Sequence, residues 1–108
     1  MTNFNNSSSL EYAKIINPTK EQIICKAINF HKEGNIAEAL KIYQFCVNKG
    51  LNDYRVFSNF GNILQQLGKL EEAAILSRKA VDLKPNLAHT HFNLGNILKE
   101  LGRLEEAE

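Results

Sequence analysis

The chain has 108 residues, room for one small domain, and a formal net charge of +1. It is 44% hydrophobic and 23% charged, with both signs spread along it, so no basic block is present to grip phosphates and nucleic acid is set aside as a partner. No apolar run approaches the roughly 18 residues of a membrane span, and the start, MTNFNNSSSLEY, has neither a basic nor an apolar signal region, so the expectation is a cytoplasmic protein with no membrane contact.

Residues 1–19 read as a polar tail, whose first nine residues are asparagine- and serine-rich and of the kind that stays disordered. Leu10, Ala13 and Ile16 share a face and allow a short helix over 10–16, which Asn17-Pro18 would end. Thr19 with Gln22 reads as a capping box at the first long helix, and Asn35 with Glu38 as a weaker one at the second. Lys69 and Arg103 stand where Asn35 does and cannot accept a hydrogen bond. Within 54–67 the apolar residues Phe57, Phe60, Ile63, Leu64 and Leu67 have helical spacing, and Gly68 then offers a left-handed stop. Leu70, Ala73, Ala74, Leu76, Ala80, Val81 and Leu83 are helical again, and Pro85 cannot continue them. Period-two alternation is absent, so no strands are expected.

One unit is written more than once. Gly34, Gly68 and Gly102 are 34 residues apart, and so are Ala39, Ala73 and Ala107, as well as Ala27, Gly61 and Gly95, and Phe30, Leu64 and Leu98. Each unit is a helix, a tight turn and a second helix, about 14 residues per helix, too short to stand alone and therefore stacked. Gly61 and Ala73 are small enough to let two helix backbones approach. The units are 20–53, 54–87 and a partial third, 88–108, with one helix to Leu101, a turn at Gly102 and little of its second helix. Leu94, Ile97, Leu98, Leu101 and Leu104 would then lack their usual cover. Two explanations stand: a fragment of a longer product, or an open C-terminal edge that pairs with another copy to give a homo-oligomer.

The period, the small residues, the mid-repeat glycine and Pro85 resemble the tetratricopeptide repeat family over residues 20–108. The second unit fits best, with Phe57, Phe60, Gly61, Leu64, Gly68, Ala73, Ala80 and Pro85 in place, although Ser77 stands where the family prefers an aromatic. The resemblance implies an all-α fold, a right-handed solenoid of antiparallel helix pairs with two full repeats and a partial third. It also implies a concave groove lined by the first helix of each unit, and a protein or peptide partner.

On those first helices Arg55, Asn59, Asn62 and Gln66 form one polar stripe, and His89, Asn93, Asn96 and Glu100 repeat it one unit later. A carboxamide both donates and accepts, so an asparagine can pair with a peptide backbone whatever the peptide's side chains are. Asn59-Phe60-Gly61-Asn62 and Asn93-Leu94-Gly95-Asn96 resemble the asparagine ladder in the repeats of protein O-GlcNAc transferases, in which such residues hold the substrate backbone. The first unit has Cys25 and Ile28 at those slots. The alternative is that these asparagines only hydrogen-bond between helices. A basic clamp for a peptide carboxylate is not met, because Arg55 is the sole cation on the two stripes.

Nothing in the residues points to catalysis, to a cofactor or to a metal. His89 and His91 point to different sides of a helix, and no cysteine or carboxylate joins them four residues on. Cys25 and Cys46 read as two partly buried thiols. The reading is therefore a non-catalytic interaction module. Its alternatives are a detached repeat arm of a glycosyl- or sulfotransferase and a self-associating structural module.

Overall fold

The computed structural model describes residues 18–107, and the expected tail with its short helix over 10–16 lies outside them. The described residues form five α-helices and no strand, so the fold is an all-α helical repeat. The helices are α1 (Lys20–Lys32), α2 (Ile36–Asn48), α3 (Tyr54–Gln66), α4 (Leu70–Leu83) and α5 (Ala88–Ala107). The chain divides after Leu51 into two compact units. None of these helices is long and apolar enough to cross a membrane.

Unit one is the hairpin of α1 and α2. Its entry is the capping box anticipated above: Thr19 Oγ1 accepts from the Gln22 backbone N–H at 3.1 Å, and Gln22 Oε1 accepts from the Thr19 N–H at 2.8 Å. The core of the hairpin is Ile24 and Ala27 from α1 with Ala39, Ile42, Tyr43 and Cys46 from α2, all buried. The His31 ring meets the Tyr43 ring edge-on, at a centroid distance of 6.3 Å. Burial there holds the His31 imidazole below its ordinary pKa. Cys46 is buried as expected of a small apolar thiol, but Cys25 is exposed, with Sγ 3.4 Å from Glu21 Oε2.

The ends of α1, α2 and α3 are made the same way. Gly34, Gly50 and Gly68 have φ of 82°, 73° and 81°, the left-handed region that a side chain resists. At Gly68 the Lys69 N–H bonds back to Leu64 O at 2.8 Å and the Gly68 N–H to Gln65 O at 3.0 Å, which closes a Schellman motif. Lys69 O then accepts from Ala73 N at 3.0 Å, so one residue ends α3 and begins α4. Asn35 plays the same double part between α1 and α2, and this corrects the second expected cap. Its N–H is tied to Phe30 O at 2.8 Å, its ψ is 72°, and its side chain makes no capping bond. The backbone clamp holds the asparagine away from the first-turn N–H groups that it would otherwise reach.

Unit two contains α3, α4 and α5, with α4 packed against both of the others. Its entry is an Asp53 cap, whose Oδ1 accepts from the Arg55 N–H at 2.9 Å. The hairpin of α3 and α4 is closest at Gly61. A Cβ placed there would lie 2.6 Å from Ser77 Oγ and 3.3 Å from Ala73 O. Ser77, where the family pattern favours an aromatic, is buried, and its hydroxyl has no partner among the described residues. It is small because Gly61 brings the backbone of α3 against it.

The third unit departs from its expected course. No turn forms at Gly102; α5 is one helix of 20 residues, and Gly102 has no positive φ. At Gly68 the reversed chain is rewarded by a full helix docking on α3. At Gly102 the helix runs on through the glycine. Ile97, expected to be left uncovered, is fully buried, and Leu94 and Leu101 are half-buried, while Leu98 and Leu104 are exposed at 37% and 58%.

The two glycines therefore predict opposite signs. Gly68→Ala should cost about 1–2 kcal/mol through its left-handed backbone. Gly102→Ala, in helical backbone with open space around it, should gain up to about 1 kcal/mol. Thermal denaturation of the two variants beside wild type reads both, and a fall in Tm for Gly102→Ala would restore the expected turn.

Candidate functional site

The predicted stripes lie on α3 and α5, both in unit two. At 100° per residue Asn59 falls about 160° from Gly61, so the α3 stripe faces away from α4. Two side-chain bonds join the helices. The Asn93 amide donates to Ser58 Oγ at 3.2 Å, and the Gln65 amide donates to Glu100 Oε1. Both span 35 residues in the same sense, so α3 and α5 run parallel and side by side.

The eight stripe residues do not behave alike. Arg55 is turned onto Asp53, with Nε 3.0 Å from Oδ1 and Nη2 2.9 Å from Oδ2. That fork lines a cleft shared with Asn52, Tyr54, Leu83 and Lys84 at the far end of the hairpin, and a paired guanidinium there is no clamp for a carboxylate. Glu100 is half-buried and engaged by Gln65. Asn93 is half-buried and serves as an interhelix tie, and its amide also lies 3.3 Å from His89 Nε2, which must accept. Asn59 and Asn62 are half-buried, and Gln66, His89 and Asn96 are exposed. Among the described residues nothing hydrogen-bonds to the side chains of Asn59, Asn62 or Asn96.

Three residues that the stripe pattern does not contain hold this face together: Ser58, Gln65 and Thr90. Ser58 and Gln65 face α5 because facing sides of parallel helices meet one position out of register with the 34-residue period. Thr90 is buried and donates to Leu87 O at 2.8 Å, which anchors the start of α5. His91 does not look onto the stripe: its Nε2 donates to Pro85 O at 2.6 Å. Among the described residues no group of three histidine, cysteine, aspartate or glutamate side chains is placed to hold a metal ion.

A double-mutant cycle tests the tie. Asn93→Ala and Ser58→Ala should be coupled by about 0.5–1.5 kcal/mol in urea denaturation. Strict additivity would mean that Asn93 is not a structural contact.

Residues 61–102 match the family described as TPR repeat, from the middle of α3 through α4 and most of α5. No curated protein is significantly similar to the chain. The match supports the tetratricopeptide repeat family, whose members are generally non-catalytic and generally mediate protein–protein interactions.

Proposed function

We propose that the chain is a non-catalytic interaction module that binds an extended peptide along the parallel helices α3 and α5. The observation that carries this reading is the state of Asn59, Asn62 and Asn96. Their carboxamides lie on neighbouring parallel helices without a hydrogen-bond partner among the described residues. A carboxamide left over in this way can donate to and accept from a peptide backbone. The resemblance to the asparagine ladder of protein O-GlcNAc transferases supports the same use. Within the eight-residue stripe, Asn93, Glu100 and Arg55 keep the frame in shape, whereas Asn59, Asn62 and Asn96 meet the ligand and Gln66 and His89 border it. Few rungs give weak binding, because each net hydrogen bond contributes only about 0.5–1.5 kcal/mol.

The test uses a peptide selected from a random display library against the whole chain. Asn62→Ala with Asn96→Ala should weaken that peptide by about tenfold, two bonds at about 0.7 kcal/mol each, with Tm unchanged. Unchanged affinity in the double variant contradicts the reading.

A further inference from the structure

One carboxamide stands between α3 and α5 with two acceptors on it. Asn93 Nδ2 lies 3.2 Å from Ser58 Oγ on α3 and 3.3 Å from Nε2 of His89, one turn earlier on α5. A carboxamide nitrogen carries two hydrogens and accepts nothing, so both neighbours accept from it. Ser58 is 3% exposed, and its hydroxyl can turn to donate or to accept. His89 is exposed, so a proton reaches its ring from solvent. An imidazole that accepts at Nε2 is neutral; once it takes up a second proton, both ring nitrogens donate. His89 Nε2 then meets Asn93 Nδ2 donor against donor, and the bond becomes a repulsion.

Turning the Asn93 amide over removes the conflict. Its Oδ1 accepts nothing among the described residues while His89 is neutral. After the turn Oδ1 accepts from His89 Nε2 and from the Ser58 hydroxyl, and Nδ2 takes the outward place. A bond from an imidazolium is charge-assisted, and stronger than the neutral one it replaces. The charged groups at this end of the neighbouring helices do not compete for the ring. Asp53 and Arg55, at the start of α3, are bonded to each other. Towards the end of α4, Lys79 and Lys84 lie over the rings of Phe57 and Tyr54, and Arg78 and Asp82 are exposed. Among the described residues none forms an ion pair with His89.

We propose that His89 and Asn93 form a proton-operated switch that reverses the hydrogen-bonding polarity of the Asn93 rung. With His89 neutral, the rung turns a carbonyl oxygen outward and suits a ligand N–H. With His89 charged, it turns an NH2 group outward beside a positive charge and suits a ligand carboxylate. This consequence for binding rests on the proposed peptide site; the switch itself does not, and it is read with no ligand present.

The test is NMR on the isotope-labelled whole chain at about pH 8 and about pH 5, the limits of the range in which histidine changes its charge. At the upper limit, nuclear Overhauser cross-peaks should join the Asn93 side-chain NH2 to the Ser58 β protons. At the lower limit they should be lost, with a midpoint that follows the His89 ring protons. His89→Gln, whose own amide can both donate and accept, should keep the cross-peaks throughout. The proposal is overturned by cross-peaks that persist in the wild type at the lower limit or are missing at the upper one, or by a His89 ring that does not titrate between them. Loss in both proteins also overturns it, since acid would then act without His89.

Discussion

The bare backbone of Gly61 against Ala73 and Ser77 sets the rest of unit two. A hypothetical Cβ would lie 2.6 Å from Ser77 Oγ and 3.3 Å from Ala73 O, so a side chain at Gly61 would press on a buried hydroxyl and on the α4 backbone, and small residues on both helices set the separation of α3 and α4. That separation places α4 where it can also carry α5. With α5 carried on α4, it lies parallel to α3 and its Asn93 and Glu100 reach Ser58 and Gln65. Ile97 becomes fully buried in the same arrangement. Unit one solves the same problem differently: Ala27 stands for Gly61 and the large Tyr43 for Ser77, both completely buried. Two packings thus serve one repeat pattern, with an aromatic filling the space that close backbone approach removes in unit two.

Much of the fold is legible in the sequence because its signals are local. The 34-residue period, the helical spacing of Phe57 to Leu67 and the capping box at Thr19 need no knowledge of neighbours. The left-handed turns at Gly34 and Gly68 follow from the same local signals. Gly102 has the same place in the period as Gly68 and behaves differently, its backbone staying helical where Gly68 turns left-handed. Asn35 has the residue type of a cap and none of its bonding, because the Schellman closure of the preceding helix has already fixed its backbone. Gly50 makes a third left-handed turn but stands outside the 34-residue glycine series, so a search by period passes over it.

The site is legible only in outline. The stripes can be computed from each helix separately, and their positions on α3 and α5 follow from periodicity. Which stripe residues are engaged depends on the sides the helices turn to each other, and that is a property of pairs. The register of 35 that joins Ser58 to Asn93 and Gln65 to Glu100 differs from the repeat period by one, so alignment of the units at 34 pairs the wrong residues. Arg55 is drawn off its stripe by Asp53, a residue that a reading of stripe positions does not weigh. Among the described residues, the stripe carboxamides left without a hydrogen-bond partner, Asn59, Asn62 and Asn96, are a smaller set than the sequence pattern.

The most direct test of this account is the stability of Gly61→Ala, alone and with Ser77→Ala. Alanine in place of a mid-helix glycine ordinarily gains about 1 kcal/mol. The account predicts a lower Tm for Gly61→Ala, because its Cβ must push a buried hydroxyl aside. Ser77→Ala alone should be neutral or stabilising, since that hydroxyl is buried without a partner. Combining the two should recover much of the loss. A Gly61→Ala variant that melts higher than wild type would contradict the claim that close approach at Gly61 and Ser77 sets the hairpin.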